Sequence, residues 1–173
     1  LSTTPGWAVA GPRDRARFGH SVASAGDVNA DGFADVIVGA PRQDGTVSAE
    51  EGRAYLYLGS AAGLSATPVW IGAPDLFGAG YGSAVAAAGD VNGDGLSEII
   101  IGAPEYSNGE TEEGRAFVYH GVSDAPQLEF GVFMDTNQAY AGSGLTCAAA
   151  GDVNGDGYDD VLIGVGAYDY GQV

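Results

Sequence analysis

The chain has 173 residues, six basic against twenty-three acidic, for a formal charge of −17 and a pI near 4.1. That length makes one modest domain or part of a larger one, long enough to bury a core. So acidic a field repels phosphate backbones and excludes nucleic acid as a partner, and no apolar run approaches the roughly 20 residues that cross a bilayer. Thirty glycines and nine tyrosines point to turns and strands rather than long helices. The chain opens on Leu1 with no visible signal peptide, as expected of a mature product or an excised segment.

In chain order, residues 1–17 read as an orphan outer strand and linker, with Trp7 as the strand's bulky anchor. "SVASA" at 21–25 is a short strand of small residues, suited to a crowded axis. "GDVNADG" at 26–32 is an acidic turn, and "DVIVGAP" at 35–41 is a β-branched run of the kind buried on both faces. Proline ends that run because it cannot donate to a ladder. "SAEEGRA" at 48–54 is a second acidic hairpin, and "RAYLYLG" at 53–59 alternates aromatic and aliphatic residues before stopping at glycine. Trp70 anchors a fourth strand.

The same order then returns. "YGSAVAAAGDVNGDGLSEIIIGAP" at 81–104 aligns with 18–41, "EEGRAFVYHG" at 112–121 with the first Glu-Glu-Gly-Arg segment, and "SGLTCAAAGDVNGDGYDDVLIGVG" at 143–166 is a third copy. Asp27, Asp90 and Asp152 open the three acidic loops at separations of 63 and 62 residues. The third counterpart of Trp7 and Trp70 is Phe130 or Val132. The repeats run approximately 18–73, 81–134 and 143–173, and the final "GQV" aligns with the start of a third strand. Four strands at a fixed period of this length predict an all-β fold of antiparallel β-propeller blades. About three blades are present, a partial propeller or half-ring.

Each acidic loop places oxygen-bearing side chains at positions 1, 3, 5 and 9, a glycine at 6, and a backbone carbonyl at 7. The predicted ligands are Asp27, Asn29, Asp31, the Phe33 carbonyl and Asp35; Asp90, Asn92, Asp94, the Leu96 carbonyl and Glu98; and Asp152, Asn154, Asp156, the Tyr158 carbonyl and Asp160. All-oxygen ligation at this spacing favours Ca²⁺, one ion per loop and three in all. A helix-flanked calcium loop would need a bidentate acid at position 12, where Val38, Ile101 and Ile163 stand in β-branched runs. The loops are therefore read as calcium-binding hairpin turns between the first and second strands of each blade. Glu98, one methylene longer than its counterparts, is expected to make the middle site the weakest.

The "FG … GAP" brackets Phe18-Gly19/Gly39-Ala40-Pro41 and Tyr81-Gly82/Gly102-Ala103-Pro104, with the acidic loops between them, resemble the FG-GAP repeats of integrin α-subunit propellers. The linker "LGSAAGLSATPVW" at 58–70 looks most like secreted bacterial members. Blade 3 departs from the pattern, with Ser143-Gly144 for Phe-Gly and Val165-Gly166 for Ala-Pro. The resemblance implies a seven-bladed propeller, of which about three blades are here, and an extracellular or cell-surface location.

The lone Cys147 aligns with Val22 and Val85 and reads as a small hydrophobe, which excludes an internal disulfide framework. His20 and His120 are isolated and read as structural or surface residues, and no catalytic motif appears. The Glu-Glu-Gly-Arg hairpins read as solvated turns with a local Glu–Arg pair; lining a binding face, supplying a metal ligand, or packing blades through Arg53 and Arg115 are the alternatives. The expected function is a non-catalytic, calcium-stabilised recognition or adhesion module for a protein or glycan ligand. The alternatives are a propeller from a secreted polymer-acting enzyme and a self-assembling fragment. For a complete chain, a homodimer closing a six-bladed ring is expected; the equal alternative is a segment of a longer propeller.

Overall fold

The computed structural model describes residues 5–44, 50–74, 76–123 and 128–169. Among the described residues ten strands follow one another: β1 Ser21–Gly26, β2 Asp35–Ala40, β3 Arg53–Tyr57, β4 Trp70–Gly72, β5 Ala84–Gly89, β6 Glu98–Ala103, β7 Arg115–His120, β8 Glu129–Met134, β9 Ser143–Gly151 and β10 Asp160–Val165. They form two four-stranded sheets in simple order, β1-β2-β3-β4 and β5-β6-β7-β8, and a two-stranded sheet of β9 and β10. Every pairing within a sheet is antiparallel, and among the described residues there is no helix. These are propeller blades, all-β as the period predicts. The "GQV" segment lies outside the described residues.

Within a blade the second strand divides its side chains between two neighbours. In β6, Ile99 and Ile101 join Ile37, Leu56, Tyr81 and Phe117 in the core between blades 1 and 2. Ile100, between them, packs with Ala88 and Val118 against Cys147, Val161 and Ile163 of blade 3. All three isoleucines are 0% exposed, which is why the run is uninterrupted rather than alternating. In β10 the equivalent Leu162 is 59% exposed, because the described residues supply no blade beyond it.

The spacing between blades is set by backbone contact. Gly82 N donates to Gly102 O at 3.0 Å within blade 2, as Gly19 N does to Gly39 O within blade 1. A Cβ on Gly39 would collide with the carbonyl of Gly82, and one on Gly102 with the carbonyl of Gly144. The bracket glycines are thus pressed against the next blade, and blade 3 keeps Gly144 and Gly164 although its other bracket residues differ. The Glu-Glu-Gly-Arg turn makes the second joint. Gly52 bridges Tyr81 and Gly114 bridges Ser143 in parallel, with Tyr81 N donating to Glu51 O at 3.1 Å and Ser143 N to Glu113 O at 3.0 Å. At φ +85° and +71° these two positions favour glycine as well.

One difference from the sequence reading, and one choice it left open, concern the anchors. Trp7 lies in no strand, yet its ring meets Tyr57 edge-on at 5.2 Å, as Trp70 meets Tyr119 at 5.1 Å. The side chain takes the outer-strand place on the next blade without a ladder, and its Nε1 donates to Ser65 O at 2.8 Å. The third anchor is settled by register. Trp70 opposes Leu56 and Val132 opposes Val118, while Phe130 opposes Tyr119 across an irregularity at Val118/Tyr119. Val132 is the counterpart of Trp70.

Ile101→Ala should therefore cost about 2–5 kcal/mol in urea denaturation, through lost burial and a residual cavity, whereas Leu162→Ala in β10 should change stability by about 0.5 kcal/mol or less.

Candidate metal centre

The acidic loops join β1 to β2, β5 to β6 and β9 to β10, and each is built the same way. Each preceding strand ends in a left-handed glycine, Gly26, Gly89 or Gly151, at an irregularity in the pairing. The turn glycines Gly32, Gly95 and Gly157 have φ of +85°, +85° and +94°, as the spacing requires.

The position-1 carboxylate gathers the turn's N–H groups. Asp27 Oδ1 accepts from Asp31 N at 3.1 Å and Oδ2 from Gly32 N at 2.8 Å. Asp90 does the same with Asp94 N and Gly95 N, and Asp152 with Asp156 N and Gly157 N. Loops 2 and 3 add Gly93 N and Gly155 N, each donating at 2.7 Å. The position-3 amides Asn29, Asn92 and Asn154 accept from the position-5 N–H through Oδ1 and donate from Nδ2 to the position-5 carboxylate at 2.9–3.1 Å. Asp31, Asp94 and Asp156 accept the position-7 N–H of Phe33, Leu96 and Tyr158.

The position-9 acid closes each hairpin. Asp35 is 0% exposed, its Oδ2 accepting from Val28 N at 3.0 Å and its Oδ1 from Gly59 N, beyond β3, at 2.8 Å. Glu98 repeats this with Val91 N at 2.8 Å and Gly121 N at 3.4 Å, a longer second bond for the longer side chain. Asp160 Oδ2 accepts from Val153 N at 3.0 Å. Burial pushes the Asp35 and Glu98 carboxyls above the ordinary range, against the pull of these N–H groups, with the nearby loop acids adding to the rise. The exposed Asp152 is held below it by the backbone N–H groups it accepts.

Among the described residues no three acidic, histidine or cysteine side chains form a metal cage by themselves. Any ion here needs the amide and carbonyl oxygens as well. The donor chemistry fits a hard cation: every predicted side-chain ligand is an oxygen, and the carboxylates that accept N–H groups retain free lone pairs. Asn29, Asn92 and Asn154 would hold an ion through Oδ1.

Successive loops are wired together, which the spacing did not reveal. Ser97 N donates to Asp27 O and Asp159 N to Asp90 O, both at 3.0 Å. Asp159 Oδ2 also accepts from Asp90 N at 2.9 Å, so this acid, off the ligand register, clamps two blades. His120, read from the sequence as a structural or surface residue, lies closer to a loop than that reading placed it. Its Nδ1 lies 3.2 Å from Asn92 Nδ2 and 3.7 Å from Glu98 Oε1, beside the middle loop alone. A histidine at a third-strand end was the available signal.

The Glu-Glu-Gly-Arg hairpins diverge. Arg53 Nη2 pairs with Glu51 Oε1 at 2.7 Å, the local pair expected, but the turn is not solvated there: Glu51 and Glu113 are both buried against the next blade's backbone joint. Arg115 turns instead to Asp135 at 2.7 Å, lying 4.4 Å from the Tyr106 ring centroid and 3.8 Å from that of Phe133. The glycine between acid and arginine, not the arginine, makes the blade joint. Burial pushes the Cys147 thiol up to about 12, as suits a structural cysteine.

Four-stranded antiparallel blades with an acidic, glycine-turned hairpin between their first two strands define a β-propeller repeat protein. The FG-GAP repeat model matches residues 18–57, 81–119 and 148–173, and the chain belongs to that family. The third match begins after Ser143-Gly144, where the bracket departs. Among curated relatives, chicken integrin alpha-8 is 35% identical over 156 residues, covering 85% of this chain and 14% of that protein. Human integrin alpha-IIb is 36% identical over 171 residues, covering 90% and 15%. Integrin alpha-5 of Xenopus laevis is 34% identical, again over 85% of the chain. The chain thus spans about one-seventh of the length of these relatives.

One loop position is strained. Ala30 has φ +59°, where loops 2 and 3 place Gly93 and Gly155 at +77° and +78°. Ala30→Gly should stabilise the protein by about 0.5–1 kcal/mol in thermal or urea denaturation, the relief of the left-handed alanine exceeding the added chain entropy.

Proposed function

We propose that the chain is a calcium-stabilised, non-catalytic recognition or adhesion module of an extracellular or cell-surface protein, binding one Ca²⁺ in each acidic loop. The observation that carries this reading is the repetition of one donor set, in one hydrogen-bonded loop form, at three places that are hydrogen-bonded in series. An ion in each loop would neutralise crowded carboxylates and brace the blade stack at its acidic end. Kinship with integrin alpha chains supports an adhesive role. Among the described residues no helix is long and apolar enough to cross a membrane.

Calcium at about tenfold above Kd would add roughly 1.4 kcal/mol per site, or about 4 kcal/mol for three. Chelator should therefore lower the melting temperature by several degrees and calcium should restore it. Asp31→Ala, Asp94→Ala and Asp156→Ala should each remove one ion in calorimetry, with Asp94→Ala removing the weakest. An identical melt with and without chelator, and no bound calcium by elemental analysis, would falsify the reading.

A second reading concerns assembly and rests on exposed apolar surface. Phe130, Val132, Leu145 and Leu162 are each more than half exposed on β8, β9 and β10 of the last two blades. In this reading two copies close a six-bladed ring. Light scattering in calcium should then give a dimer for the 173-residue chain, and a stable monomer would sink the ring.

A further inference from the structure

Antiparallel pairing puts the acidic loops at one end of each blade and the β2–β3 turns, with the turns entering each first strand, at the other. The entering turn is built identically three times. A buried alanine, Ala16, Ala79 or Ala141, sits between two left-handed residues and accepts an N–H from Arg42, Glu105 or Ala167. Blade 2 fills the left-handed positions with Gly78 and Gly80, both at φ +66°, and blade 3 with Tyr140 and Gly142. Blade 1 fills both with arginine, Arg15 at φ +69° and Arg17 at +55°.

Left-handed backbone is disfavoured for any residue with a Cβ, and the fold asks here for glycine. Two arginines in these positions cost stability. A strained backbone of this kind points toward function. The charge distribution points the same way. The chain has no lysine and six arginines, and Arg13, Arg15, Arg17, Arg42 and Arg53 all belong to this end of blade 1. Arg13, Arg42 and Arg53 have acidic partners in Asp44, Glu50 and Glu51. Among the described residues no ion pair engages Arg15 or Arg17.

Between these turns and blade 2 lies a cleft of about 50 Å³, lined by Arg17, His20, Arg42 and Glu50 on one side and by Ser83 and Glu105 on the other. Its volume suits one anionic group. Arg17, His20 and Arg42 stand on one wall beside Glu50, which pairs with Arg42 at 2.9 Å and leaves Arg17, among the described residues, as the arginine without an acidic partner there; the Glu105 carboxylate and the Ser83 hydroxyl stand opposite. A sugar ring carrying one acidic substituent among several hydroxyl donors matches both walls. The cleft offers hydrogen-bonding and charged groups rather than an apolar seat, with Pro41 the one apolar side chain in its lining.

We infer that the cleft between blades 1 and 2 binds the carboxylate or sulfate of an acidic glycan through Arg17, His20 and Arg42, with Arg15 extending the cationic rim. This names a ligand class for the recognition reading and rests on it.

The repeat itself supplies the test. Arg17→Gly and the Arg15→Gly/Arg17→Gly pair install the residues blade 2 uses, so they should hold or raise the melting temperature while removing the cations. At fixed calcium and low ionic strength, a heparin tetrasaccharide, a hyaluronan tetrasaccharide, neutral chitotetraose and tetraglutamate are titrated into the 173-residue chain by calorimetry. An acidic tetrasaccharide should bind where chitotetraose does not, Arg17→Gly should weaken it about tenfold or more, and the pair should abolish it. Binding of both acidic sugars assigns the carboxylate, and binding of heparin alone assigns the sulfate. Undiminished binding by the glycine pair, no preference over chitotetraose, or tighter binding of tetraglutamate would overturn the proposal. A melt insensitive to chelator would instead remove the calcium reading and leave this titration standing.

Discussion

The approach of one blade's backbone to the next is the constraint from which the rest of the structure follows. Gly39 against Gly82 and Gly102 against Gly144 leave no room for a Cβ, and Gly52 and Gly114 bridge the next blade's first residues. Pressed together here, the second strands must be apolar on both faces. That produces the alternation of Ile99 and Ile101 toward blade 1 with Ile100 toward blade 3. The same spacing brings the acidic loops within hydrogen-bonding distance, Ser97 N to Asp27 O and Asp159 N to Asp90 O. Packing and site are two consequences of one contact.

This contact also explains which part of the family signature blade 3 can lose. Ser143 replaces an aromatic that elsewhere packs on the next aromatic of its own blade, as Phe18 does on Tyr55 and Tyr81 on Phe117. The substitution gives up a ring contact, and Ser143 Oγ reaches Thr136 Oγ1 at 3.3 Å instead. Gly144 is retained because losing it would force two backbones apart. A ring contributes energy, whereas the glycine is a condition of assembly.

Most of the blade plan was legible in the sequence, because repetition exposes period-2 strands, turn glycines and oxygen ligand spacing together. The strand order, the hairpin placement of the acidic loops and the buried second strands all follow from it. Contacts between blades were not legible. Asp159 stands off the ligand register, and spacing within one loop cannot reveal a partner 69 residues away. Arg115 looked like a twin of Arg53, but Asp135, Tyr106 and Phe133 compete for it and the local acid loses. Trp7 was read as a strand from its alignment with Trp70. Its ring keeps the contact on Tyr57 while its backbone, with no β3 equivalent beside it among the described residues, forms no ladder.

A repeat protein separates what the fold needs from what one blade adds, since any feature required for folding must recur. The position-1, position-5 and position-9 carboxyls recur, as do the turn glycines and the buried alanine of the entering turn, and all are explained by hydrogen bonds or close approach. Arg15, Arg17, His20 and Arg42 do not recur; blade 2 has Gly78, Gly80, Ser83 and Glu105 in their places and forms the same turn. Their presence cannot be a requirement of the fold, and at two of the four positions it opposes the fold. In a chain of charge −17 the arginines also run against the general field, so they act only at short range, inside the cleft they line. A long polyanion would meet net repulsion from the rest of the molecule, whereas one acidic group on a short, hydroxyl-rich ligand would meet mainly the local cations.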